Sequence, residues 1–440
     1  MHRMFKLGRI ATDAEPGMLS DLWSDSIVRS PNYDVRLLFL TRFTRLFAYG
    51  ALSVVLVFYL TGIGLSQSRI GMLLTLTLLG DTVVSLILTT QADRIGRRRM
   101  LVIGSFLMAG AGLAFACTSN FLFLVIAGTI GVVSPSGNEV GPFLSIEQAA
   151  LAHVISSSTR TTAFAWYTLT GSFATAIGSL CGGMLPSLVG SSGTASIKGY
   201  RAVVIAYAAL GMVLTLVFAR LSSATEVGVS EDRSSGLAAK KTLLGIGHSR
   251  EIVFKLSGLF ALDSFGGGFV VQSFAAYWFY LRFGVKPAAL GAIFFGANIF
   301  AGVSALLASR LASRFGLART MVFTHLPSNI LLILLPLMPS LQLAIGVLLL
   351  RFSISQMDVP TRQSYTMAVV HPEERSAAAG ITGVARTIGA SIPPMFVGLM
   401  FANPRLINVP FFIAGTLKIA YDLLLYRQFV AIQPPEEVLR

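Results

Sequence analysis

The sequence predicts an all-α membrane protein with twelve transmembrane helices arranged in two repeated halves of six. Its 440 residues are 54% hydrophobic and 12% charged, with a mean hydropathy of +0.73, whereas soluble domains carry about 25% charged residues. The apolar runs allow about twelve helices of about 20 residues, the length that crosses a bilayer. A short basic loop between two apolar runs, at 93–99, recurs in weaker form at 313–319. A β-barrel would need strands of alternating polarity, and runs such as 101–116 do not alternate.

The apolar runs place the elements in order along the chain. We expect crossings at 37–60, 70–90, 100–118, 122–149, 163–187, 201–220, 254–281, 287–309, 320–338, 341–366, 377–401 and 409–428. The longest polar stretch between crossings, the linker at 221–253, separates an N-half (37–220) from a C-half (254–428), with tails at 1–36 and 429–440. The internal repeat supports this division, because several residues recur at an offset of 220 positions that drifts to 215. The matching pairs are Gly64 with Gly284, Gly71 with Gly291, Arg94 with Arg314, Gly96 with Gly316, Gln148 with Gln363, and Arg160 with Arg375.

Positive charge marks one side of the membrane. The formal net charge is +14, and with both termini in the cytoplasm most of it falls on cytoplasmic segments, which is the positive-inside pattern. These segments hold Arg94, Arg97, Arg98, Arg99, Arg160, Arg310, Arg314, Arg319, Arg375, Lys240, Lys241, Arg250 and Lys255. The outer loops hold Arg69, Lys198, Arg201, Arg282, Lys286 and Arg405. The pattern predicts a multi-pass protein, with the plasma membrane favoured, and argues against nucleic acid as a partner.

The N-terminal tail and the cysteines add two expectations. The tail lacks the charged start, short apolar core and cleavage site of a signal peptide, so we expect the first crossing to direct insertion. Cys117 and Cys181 are the only cysteines, and both fall inside predicted crossings. We expect them to be packing residues rather than a disulfide.

The basic loop reads Asp93-Arg94-Ile95-Gly96-Arg97-Arg98-Arg99, and Ser313 replaces the acid in the second copy. A glycine permits a tight turn with positive φ. Asp93 can lie against a positive helix start or pair with an arginine, and the arginines can hold backbone carbonyls or lipid phosphates. The alternative is that the arginines only anchor the topology. We assign a cytoplasmic gate to the following residues: Asp93, Arg94, Gly96, Arg97, Arg98, Arg314 and Gly316.

The basic loop after the second crossing, its weaker copy after the eighth and the polar linker after the sixth resemble the major facilitator superfamily over about residues 36–428. The chain departs from the family pattern at Thr89, where the family has glycine. It also lacks the family's Arg-x-x-Gln-Gly stretch in the fourth crossing and its Gly-Pro pair in the fifth. The resemblance implies two pseudo-symmetric six-helix bundles that rock around a central cavity. It also implies that Asp93 latches the cytoplasmic side against the start of the eleventh crossing, near Ser376.

Charges inside the predicted crossings are candidates for a solute or ion cavity, because each would be costly facing lipid. Arg42, Arg45 and Tyr49 share one helical face, and Arg45 either reaches the cytoplasmic surface or faces the cavity. Arg386 lies about 15 Å deep in the eleventh crossing, as a functional residue or a structural ion pair. Further acids at depth are Asp263, which precedes the flexible run 266–268, and Asp81, for which a structural role is slightly favoured.

The fourth and tenth crossings are interrupted at matching places. The first interruption, 134–142, contains Glu139, and the second, 357–363, contains Asp358, each acid being followed by valine and soon by proline. Paired interruptions in a repeat transporter point to the binding site. The alternative is that they bend the helices for packing, with the acids paired to Arg351, Arg362 or Arg386. We assign the cavity to these residues: Arg386, Glu139, Asp358, Asp263, Arg45, Asp81 and Arg351.

The sequence therefore predicts a secondary active transporter of a small organic solute, anionic or amphiphilic because of its intramembrane arginines, with export favoured. Protons are the candidate coupling ion, the bilayer is the other partner, and the protein is expected to be a monomer. We expect no enzyme activity, cofactor or metal, since phosphate-loop, metal-ligand and nucleophile motifs are missing from the sequence. The alternatives are proton-coupled uptake of a nutrient or organic anion, and a non-transporting membrane sensor with the same fold.

Overall fold

The computed structural model of the chain describes residues 32–138, 142–155, 160–189, 196–226 and 246–429. The N-half contains α1 (Asn32–Gly62), α2 (Gln67–Ile95), α3 (Arg97–Cys117), α4 (Phe121–Ile130), α5 (Phe143–Val154), α6 (Arg160–Val189) and α7 (Ile197–Phe218). The C-half contains α8 (Arg250–Gly268), α9 (Gln272–Phe283), α10 (Pro287–Phe315), α11 (Leu317–Leu334), α12 (Leu341–Phe352), α13 (Asp358–Val369), α14 (Arg375–Ser391), α15 (Pro393–Phe401) and α16 (Val409–Phe429). Every α-helix needed for the predicted crossings is present in these ranges.

Twelve crossings account for these helices, as predicted. Ten helical segments among the described residues are long and apolar enough to span a membrane, with α8 joined to α9 and α14 joined to α15. The shorter apolar helices α4 and α12 continue into α5 and α13 after a break. These are the fourth and tenth crossings, in which the sequence predicted interruptions.

Proline and glycine explain where the crossings break. The α4–α5 break contains Pro135 and Pro142, and proline lacks the N–H that would continue a helical ladder. In the eleventh crossing α14 ends at Ser391 and Pro393 begins α15. In the seventh crossing the run 266–268, which was predicted to be flexible, is helical, and α8 ends at its last glycine, Gly268. A Cβ on Gly268 would lie 2.5 Å from the carbonyl oxygen of Ala390, so this glycine lets α8 and α14 pack closely.

The repeat is visible in the backbone at the two basic loops. Gly96 has φ 118° and its counterpart Gly316 has φ 87°, and residues with a Cβ rarely adopt such backbone angles. Each glycine ends one helix and starts the next, joining α2 to α3 and α10 to α11. We call the end of the molecule that carries these loops the basic end, and the other end the opposite end.

The two halves pack together at the opposite end through a pair of symmetry-related glycine contacts. A Cβ on Gly71 of α2 would lie 2.9 Å from the Cα of Gly398 in α15, and one on Gly183 of α6 would lie 2.7 Å from the Cα of Gly291 in α10. The repeat relates the two contacts, because Gly71 corresponds to Gly291 at an offset of 220 and Gly183 to Gly398 at 215. Such close backbone approach is how small residues join membrane helices.

Further along these helices, α2 and α14 carry exposed positions. Ile388 of α14 is 44% exposed and Val83 of α2 is 56% exposed. A Cβ on Gly380 or Gly383 of α14 would meet no atom within 4 Å. The halves are therefore closely packed at the opposite end, and α14 has open space around Gly380 and Gly383 nearer the basic end.

The cysteine prediction was wrong in one respect. Cys117 and Cys181 are free, as expected, but both are exposed. Each of these helices packs one face against the interior and turns the other to the surroundings, and the two cysteines lie on the exposed faces.

Candidate functional site

Arg45 and Glu147 form a fully buried ion pair in the N-half. The guanidinium of Arg45 in α1 donates from Nη1 to Oε1 and from Nη2 to Oε2 of Glu147 in α5, at 2.7 Å each. Glu147 also accepts hydrogen bonds from the hydroxyls of Thr41, at 2.8 Å, and Tyr167. The Arg45 guanidinium lies over the ring of Phe143 at 4.7 Å. We call Arg45 and Glu147 the N-half pair.

The N-half pair is closed to solvent, because both side chains have no exposed area. Arg45 therefore does not extend to the basic-end surface, as one alternative held, but points into the bundle. Two-pronged hydrogen bonding satisfies both charges, so the pair fixes α1 to α5 and leaves no charge for a solute. Arg42, one turn earlier, is also buried and lies 4.8 Å over the Tyr167 ring.

A larger group of charges fills the interior of the C-half. Asp263 of α8 accepts from Lys418 Nζ of α16 at 2.6 Å and from Arg362 Nη1 of α13 at 3.0 Å. The same Nη1 atom of Arg362 lies 3.2 Å from Oδ2 of Asp358. Asp263 and Asp358 thus share the cation Arg362, and Lys418 is a second cationic partner of Asp263.

An imidazole and a second acid extend this group through α11 and α16. Nδ1 of His325 lies 2.8 Å from Oδ1 of Asp422, and Nε2 lies 3.7 Å from Oδ1 of Asp263. The Asn329 amide donates to Oδ2 of Asp422 at 2.9 Å. A carboxylate oxygen therefore faces each ring nitrogen of His325. The C-half cluster is defined by six residues: Asp263, His325, Asp358, Arg362, Lys418 and Asp422.

The two halves hold corresponding ion pairs with the charges reversed. The N-half pair joins the first and fourth crossings, and Asp263 with Arg362 joins the seventh and tenth. Arg362 stands where the repeat places Glu147, at the offset of 215 that also matches Gln148 to Gln363. The N-half version is a closed pair, while the C-half version has gained Lys418 and His325 together with their partners. Among the described residues, the C-half therefore holds more buried ion-pair contacts than the N-half.

Two predicted cavity arginines flank the C-half cluster without joining an ion pair. Arg351 lies in the last turn of α12 and Arg386 near the middle of α14. The Nε atoms of both are buried and have no hydrogen-bond partner. The predicted pairing of Asp358 with an arginine is met by Arg362 alone. Asp81 is buried in α2.

The interruption of the fourth crossing touches the other half. The carbonyl oxygen of Pro135 accepts from the backbone N–H of Ser273 in α9 at 3.1 Å. The Gln272 amide donates to the hydroxyls of Ser53 at 2.8 Å and Ser179 at 3.1 Å. A carbonyl released by the break thus bonds the C-half. Glu139, the acid predicted for this segment, lies outside the described residues.

The basic loop of the N-half is bound to the start of the linker. The Glu226 carboxylate accepts from the backbone N–H groups of Arg97 at 2.6 Å and Arg98 at 3.1 Å. Arg97 Nη1 donates to the carbonyl oxygens of Ala149 at 3.3 Å and Thr225 at 3.4 Å, so this arginine does hold carbonyls. Arg94 and Arg314 are exposed.

The two side chains of the predicted latch are not among those that the structure describes. Asp93 belongs to α2 and Ser376 to α14. The latch therefore stays a prediction.

In the C-half, too, a carboxylate accepts hydrogen bonds from consecutive backbone N–H groups at an end of the linker. We call this kind of contact a carboxylate clasp. Glu374 accepts from the backbone N–H groups of Gly247 at 2.6 Å, His248 at 2.9 Å and Ser249 at 2.8 Å. Hydrogen bonds from Gly247 foremost, and from Ser249 and His248, lower the pKa of Glu374 to about 2, against an opposing effect of burial. Both ends of the linker are therefore held by carboxylates that accept backbone N–H groups.

Sequence reasoning missed several members of these groups. Glu147, His325, Lys418 and Asp422 all lie inside predicted crossings, so the rule that intramembrane charges are functional or paired applied to them. Spacing offered a further signal: Lys418 and Asp422 are four residues apart on one helical face, as are His325 and Asn329.

Two repeated six-helix halves that pack together at one end and bury charges between their helices are the architecture found in secondary transporters. A family model described as Major Facilitator Superfamily matches residues 38–394. The chain therefore belongs to this superfamily. An uncharacterized membrane protein of Saccharomyces cerevisiae is 31% identical over 424 residues, which cover 91% of this chain and 94% of the yeast protein.

Solved transporter structures share the fold. A bacterial homologue of the human lysosomal transporter Spinster, inward-facing and occupied, has 17% identity and a TM-score of 0.68, covering 91% of this chain and 97% of its own. The partially occluded, inward-open xylose transporter XylE from E. coli has 15% identity and a TM-score of 0.69, covering 92% and 99%. The nucleoside transporter NupG has 14% identity and a TM-score of 0.67, covering 90% and 98%. At these identities the likeness is one of fold.

Proposed function

We propose that the protein is a secondary active transporter that moves a small organic solute, anionic or amphiphilic, by alternating access. The observation that carries the proposal is the contact pattern of the halves, which pack closely at Gly71–Gly398 and Gly183–Gly291, whereas Gly380 and Gly383 of α14 have open space around them nearer the basic end. With the basic end in the cytoplasm, as the positive-inside pattern predicts, this is an inward-open state. Rocking of the halves would open the same cleft to the other side.

The C-half cluster supports protons as the coupling ion. Asp263 has two cationic partners, Lys418 and Arg362, and is held as a carboxylate. Asp422 instead contacts His325 and Asn329, so this acid and imidazole form a pair that can gain or lose a proton as one unit. His325 also faces Asp263, which links that proton to the ion pairs joining α8, α13 and α16. We propose that His325 and Asp422 carry the coupled proton.

Export is the favoured direction, and proton-coupled uptake is the alternative. An inward-open cleft serves both, because an exporter loads its solute there and an importer releases it there. The two differ in the sign of the coupling: an exporter exchanges an inward proton for an outward solute, whereas an importer carries both inward. We further propose that the protein acts as a monomer in the plasma membrane with both termini cytoplasmic.

Proteoliposomes containing the purified protein and a pH-sensitive dye test this function. Organic solutes identified by metabolite and toxicity profiling of cells with and without the gene are added outside, and the dye reports proton movement. We expect at least one solute to move protons: protons that leave the lumen as the solute enters indicate the exchange of an exporter, and protons that enter with the solute indicate the importer. If no solute moves and no proton follows, the protein is better described as a sensor with a transporter fold.

The Asp422→Asn variant separates coupling from binding, because it keeps the shape of the side chain but removes its charge. We expect its rate of gradient-driven transport to fall at least about tenfold. Its solute exchange across the membrane without a gradient should be retained. Glu251→Gln, which alters an exposed acid, serves as the control and should leave both activities intact. Unchanged gradient-driven transport in Asp422→Asn would contradict the assignment of the proton.

A further inference from the structure

The second basic loop has a serine where the first has an acid. The offset of 220 that pairs Gly96 with Gly316 also pairs Asp93 with Ser313. Asp93 and Ser313 each lie three positions before the glycine with positive φ that ends their helix. Aspartate is charged at neutral pH and serine is not, but a phosphorylated serine carries a charge of about −1.5 to −2. The second loop would therefore regain its acid if Ser313 were phosphorylated.

Ser313 is exposed and follows an arginine at the spacing that many protein kinases read. It lies in the last turn of α10 at the basic end, and its hydroxyl donates to the carbonyl oxygen of Arg310 at 2.9 Å. Kinases that prefer basic substrates recognise the charge of an arginine three residues before the serine. Helix ends fray, which lets a kinase bind this segment in an extended form. Ser309, an exposed serine one turn earlier, has Leu306 at the corresponding spacing, so the pattern selects Ser313.

The packing of α6 against α10 shows which faces of the two helices meet. A Cβ on Gly183 would lie 2.7 Å from the Cα of Gly291, and one on Gly302 would lie 2.9 Å from the Cβ of Ser172. These contacts are eleven residues apart on both helices (172 to 183, and 291 to 302) and run in opposite directions along them. Eleven residues are about three helical turns, so the contacts define one face on each of two antiparallel helices.

The same faces place Ser313 level with a helix start in the other half. Three further turns toward the basic end, another eleven residues on each helix, lead from Gly302 to Ser313 and from Ser172 to position 161. Position 161 belongs to the first turn of α6, which begins at Arg160. A helix start presents backbone N–H groups and the positive end of the helix dipole, and both favour an anion. A negative charge on Ser313 would therefore face a positive helix start.

The interface of the first copy repeats this arrangement with its own acid. Gly71 of α2 packs against Gly398 of α15. Six turns toward the basic end, 22 residues on each side (71 to 93, and 398 back to 376), Asp93 comes level with the first turn of α14. This is the latch predicted for Asp93. Ser313 and position 161 are likewise 22 residues from the Gly183–Gly291 contact, so Ser313 occupies the equivalent place in the repeat.

We propose that Ser313 is a phosphorylation site, and that its phosphate supplies the acid missing from the second basic loop and holds the basic end of α10 against the start of α6. A protein kinase selective for basic substrates transfers the γ-phosphoryl group of ATP. The bond between Ser313 Oγ and the γ-phosphorus forms, and the bond from that phosphorus to the bridging oxygen breaks. ADP leaves with the electron pair of the broken bond, and the hydroxyl proton passes to the catalytic base of the kinase.

The arginines around Ser313 suit a phosphate. Arg310 is one turn earlier on the same helical face, and Arg314 follows directly. Both are exposed and can donate charge-assisted hydrogen bonds to phosphate oxygens, which offset the unfavourable negative end of the dipole of α10. The site adds regulation to the proposed transport and rests on the proposed cytoplasmic basic end, because ATP and kinases are found there. Phosphorylation would slow alternating access by keeping the basic end closed.

A kinase reaction on the full-length protein in lipid nanodiscs tests the site. Both ends are accessible in nanodiscs, so the result does not depend on orientation. The reaction contains ATP and a calmodulin-dependent protein kinase, which reads an arginine at this spacing. Mass spectrometry of chymotryptic peptides spanning 308–315 should find phosphate on Ser313 and not on Ser309. Absence of phosphate on Ser313, or equal phosphate on Ser309, would overturn the proposal.

Arginine variants test how the site is recognised. Arg310→Ala should lower phosphorylation of Ser313 at least about tenfold, the usual effect of losing a hydrogen bond to a charged group. Arg319→Ala removes an exposed arginine of α11 and should leave phosphorylation unchanged. An equal loss in both variants contradicts recognition through Arg310.

A matched pair of substitutions tests what the charge does. Ser313→Asp restores the acid, and Ser313→Asn has nearly the same shape without the charge. The reporter is the rate of oxidative disulfide formation between Ala165→Cys and Ser309→Cys, in a background without the native cysteines. Position 165 is seven residues before 172 and position 309 seven residues after 302, about two turns toward the basic end on the facing sides of α6 and α10.

We expect Ser313→Asp to raise the cross-linking rate at least about threefold, the effect of a charge at a helix start, and Ser313→Asn to leave it unchanged. Phosphorylation of the serine in nanodiscs should act like Ser313→Asp. Equal rates in the two variants would show that the charge does not hold α10 against α6.

Orientation and transport are measured separately from the site. Ser313→Cys, in the same background, should resist a membrane-impermeant maleimide in intact cells and react after permeabilisation. Labelling in intact cells would refute the cytoplasmic basic end and its use by cellular kinases, while the cross-linking result would still decide the contact. Cross-linking that depends on the charge at position 313 in a protein without solute flux would keep the contact and refute transport.

Discussion

Arg45 and Glu147 show what a buried ion pair does for a membrane-embedded bundle. Their two hydrogen bonds of 2.7 Å and the hydroxyls of Thr41 and Tyr167 satisfy the carboxylate completely. Removing one partner leaves the other charge buried and unpaired, which costs about 3–5 kcal/mol, while replacing both with apolar residues is often close to neutral. The pair therefore specifies how α1 and α5 pack more than it stabilises the fold.

We predict that Glu147→Gln and Arg45→Met each lower the free energy of unfolding by about 3–5 kcal/mol. The double variant Arg45→Met with Glu147→Leu should recover most of that loss. Thermal unfolding in detergent, with a complete double-mutant cycle, measures both effects. The exposed pair Lys255–Glu251 at 2.6 Å is the matched control, because exposed pairs contribute little. Additive losses in the double variant would show that the two residues act independently.

The individual residues also show where sequence reasoning reached its limit. It identified Arg45, Asp263, Asp358 and Arg386 because a charge is unexpected inside an apolar run. It could not pair Arg45 with Glu147, because partners on different crossings are set by helix rotation, which a single sequence does not define. The repeat offered help that went unused: Arg362 corresponds to Glu147, which would have suggested an ion pair at the same place in each half.

At the scale of elements, the carboxylate clasps hold the linker to the two bundles. Glu226 ties its start to the first turn of α3, and Glu374 ties its end to the segment before α8. Asp34 of α1 adds a hydrogen bond from the Ser222 backbone N–H at 2.9 Å. Because a carboxylate at a helix start also meets the positive end of the helix dipole, these contacts join the linker ends firmly to their own halves.

We predict that Glu374→Gln lowers the thermal stability of the C-half at pH 7 and that the difference from wild type fades in acid. The pKa of Glu374 is lowered to about 2 in the fold from an ordinary value of 4.5. A lowered pKa contributes stability above the unfolded value, and that contribution is lost as the pH falls toward the folded value. The difference in Tm should thus be constant from pH 8 to about 5 and shrink below about 4.5. A difference independent of pH would mean that the charge of Glu374 is not what matters.

The elements themselves were largely predictable, and their contacts were not. Proline placed the breaks near Pro135 and Pro393, since neither helix could continue through them unchanged. The sequence did not show that the Pro135 carbonyl oxygen bonds Ser273 in the other half, because this contact depends on how the halves dock. The expected flexibility of the run 266–268 stays a prediction. That Gly268 lets α8 and α14 pack closely could not be predicted, because the contact depends on the neighbouring helix.

At the scale of the whole molecule, the glycine contacts at the opposite end decide which way the cleft opens. Gly71 with Gly398 and Gly183 with Gly291 bring backbones together without intervening side chains, and the hydrogen bonds of Gln272 to Ser53 and Ser179 lie next to them. Opening toward the opposite end requires all of these contacts to separate. Close packing of the halves at the opposite end therefore persists only while small residues occupy the four positions.

We predict that Gly183→Val shifts the protein toward the state open at the opposite end. A Cβ at this position would lie 2.4 Å from the carbonyl oxygen of Pro287, and forcing extra atoms into a packed contact costs about 1–3 kcal/mol, which changes a two-state ratio by about 5- to 150-fold. The reporter is Ser179→Cys in a background of Cys117→Ser and Cys181→Ser, because Ser179 is fully buried beside Gln272. Its rate of alkylation by a membrane-impermeant maleimide should rise at least about fivefold.

The matched control for this prediction is Gly110→Val in α3. A Cβ there would meet no atom within 4 Å, so the same substitution adds bulk without a clash and should leave the alkylation rate unchanged. Gly291→Val, on the facing helix, should reproduce the effect of Gly183→Val, since the two glycines form one contact. If Gly183→Val leaves the reporter protected while the protein remains folded, another part of the interface keeps the opposite end closed. The hydrogen bonds of Gln272 would then be the next contact to remove, because they are the polar link between the halves nearest to the reporter.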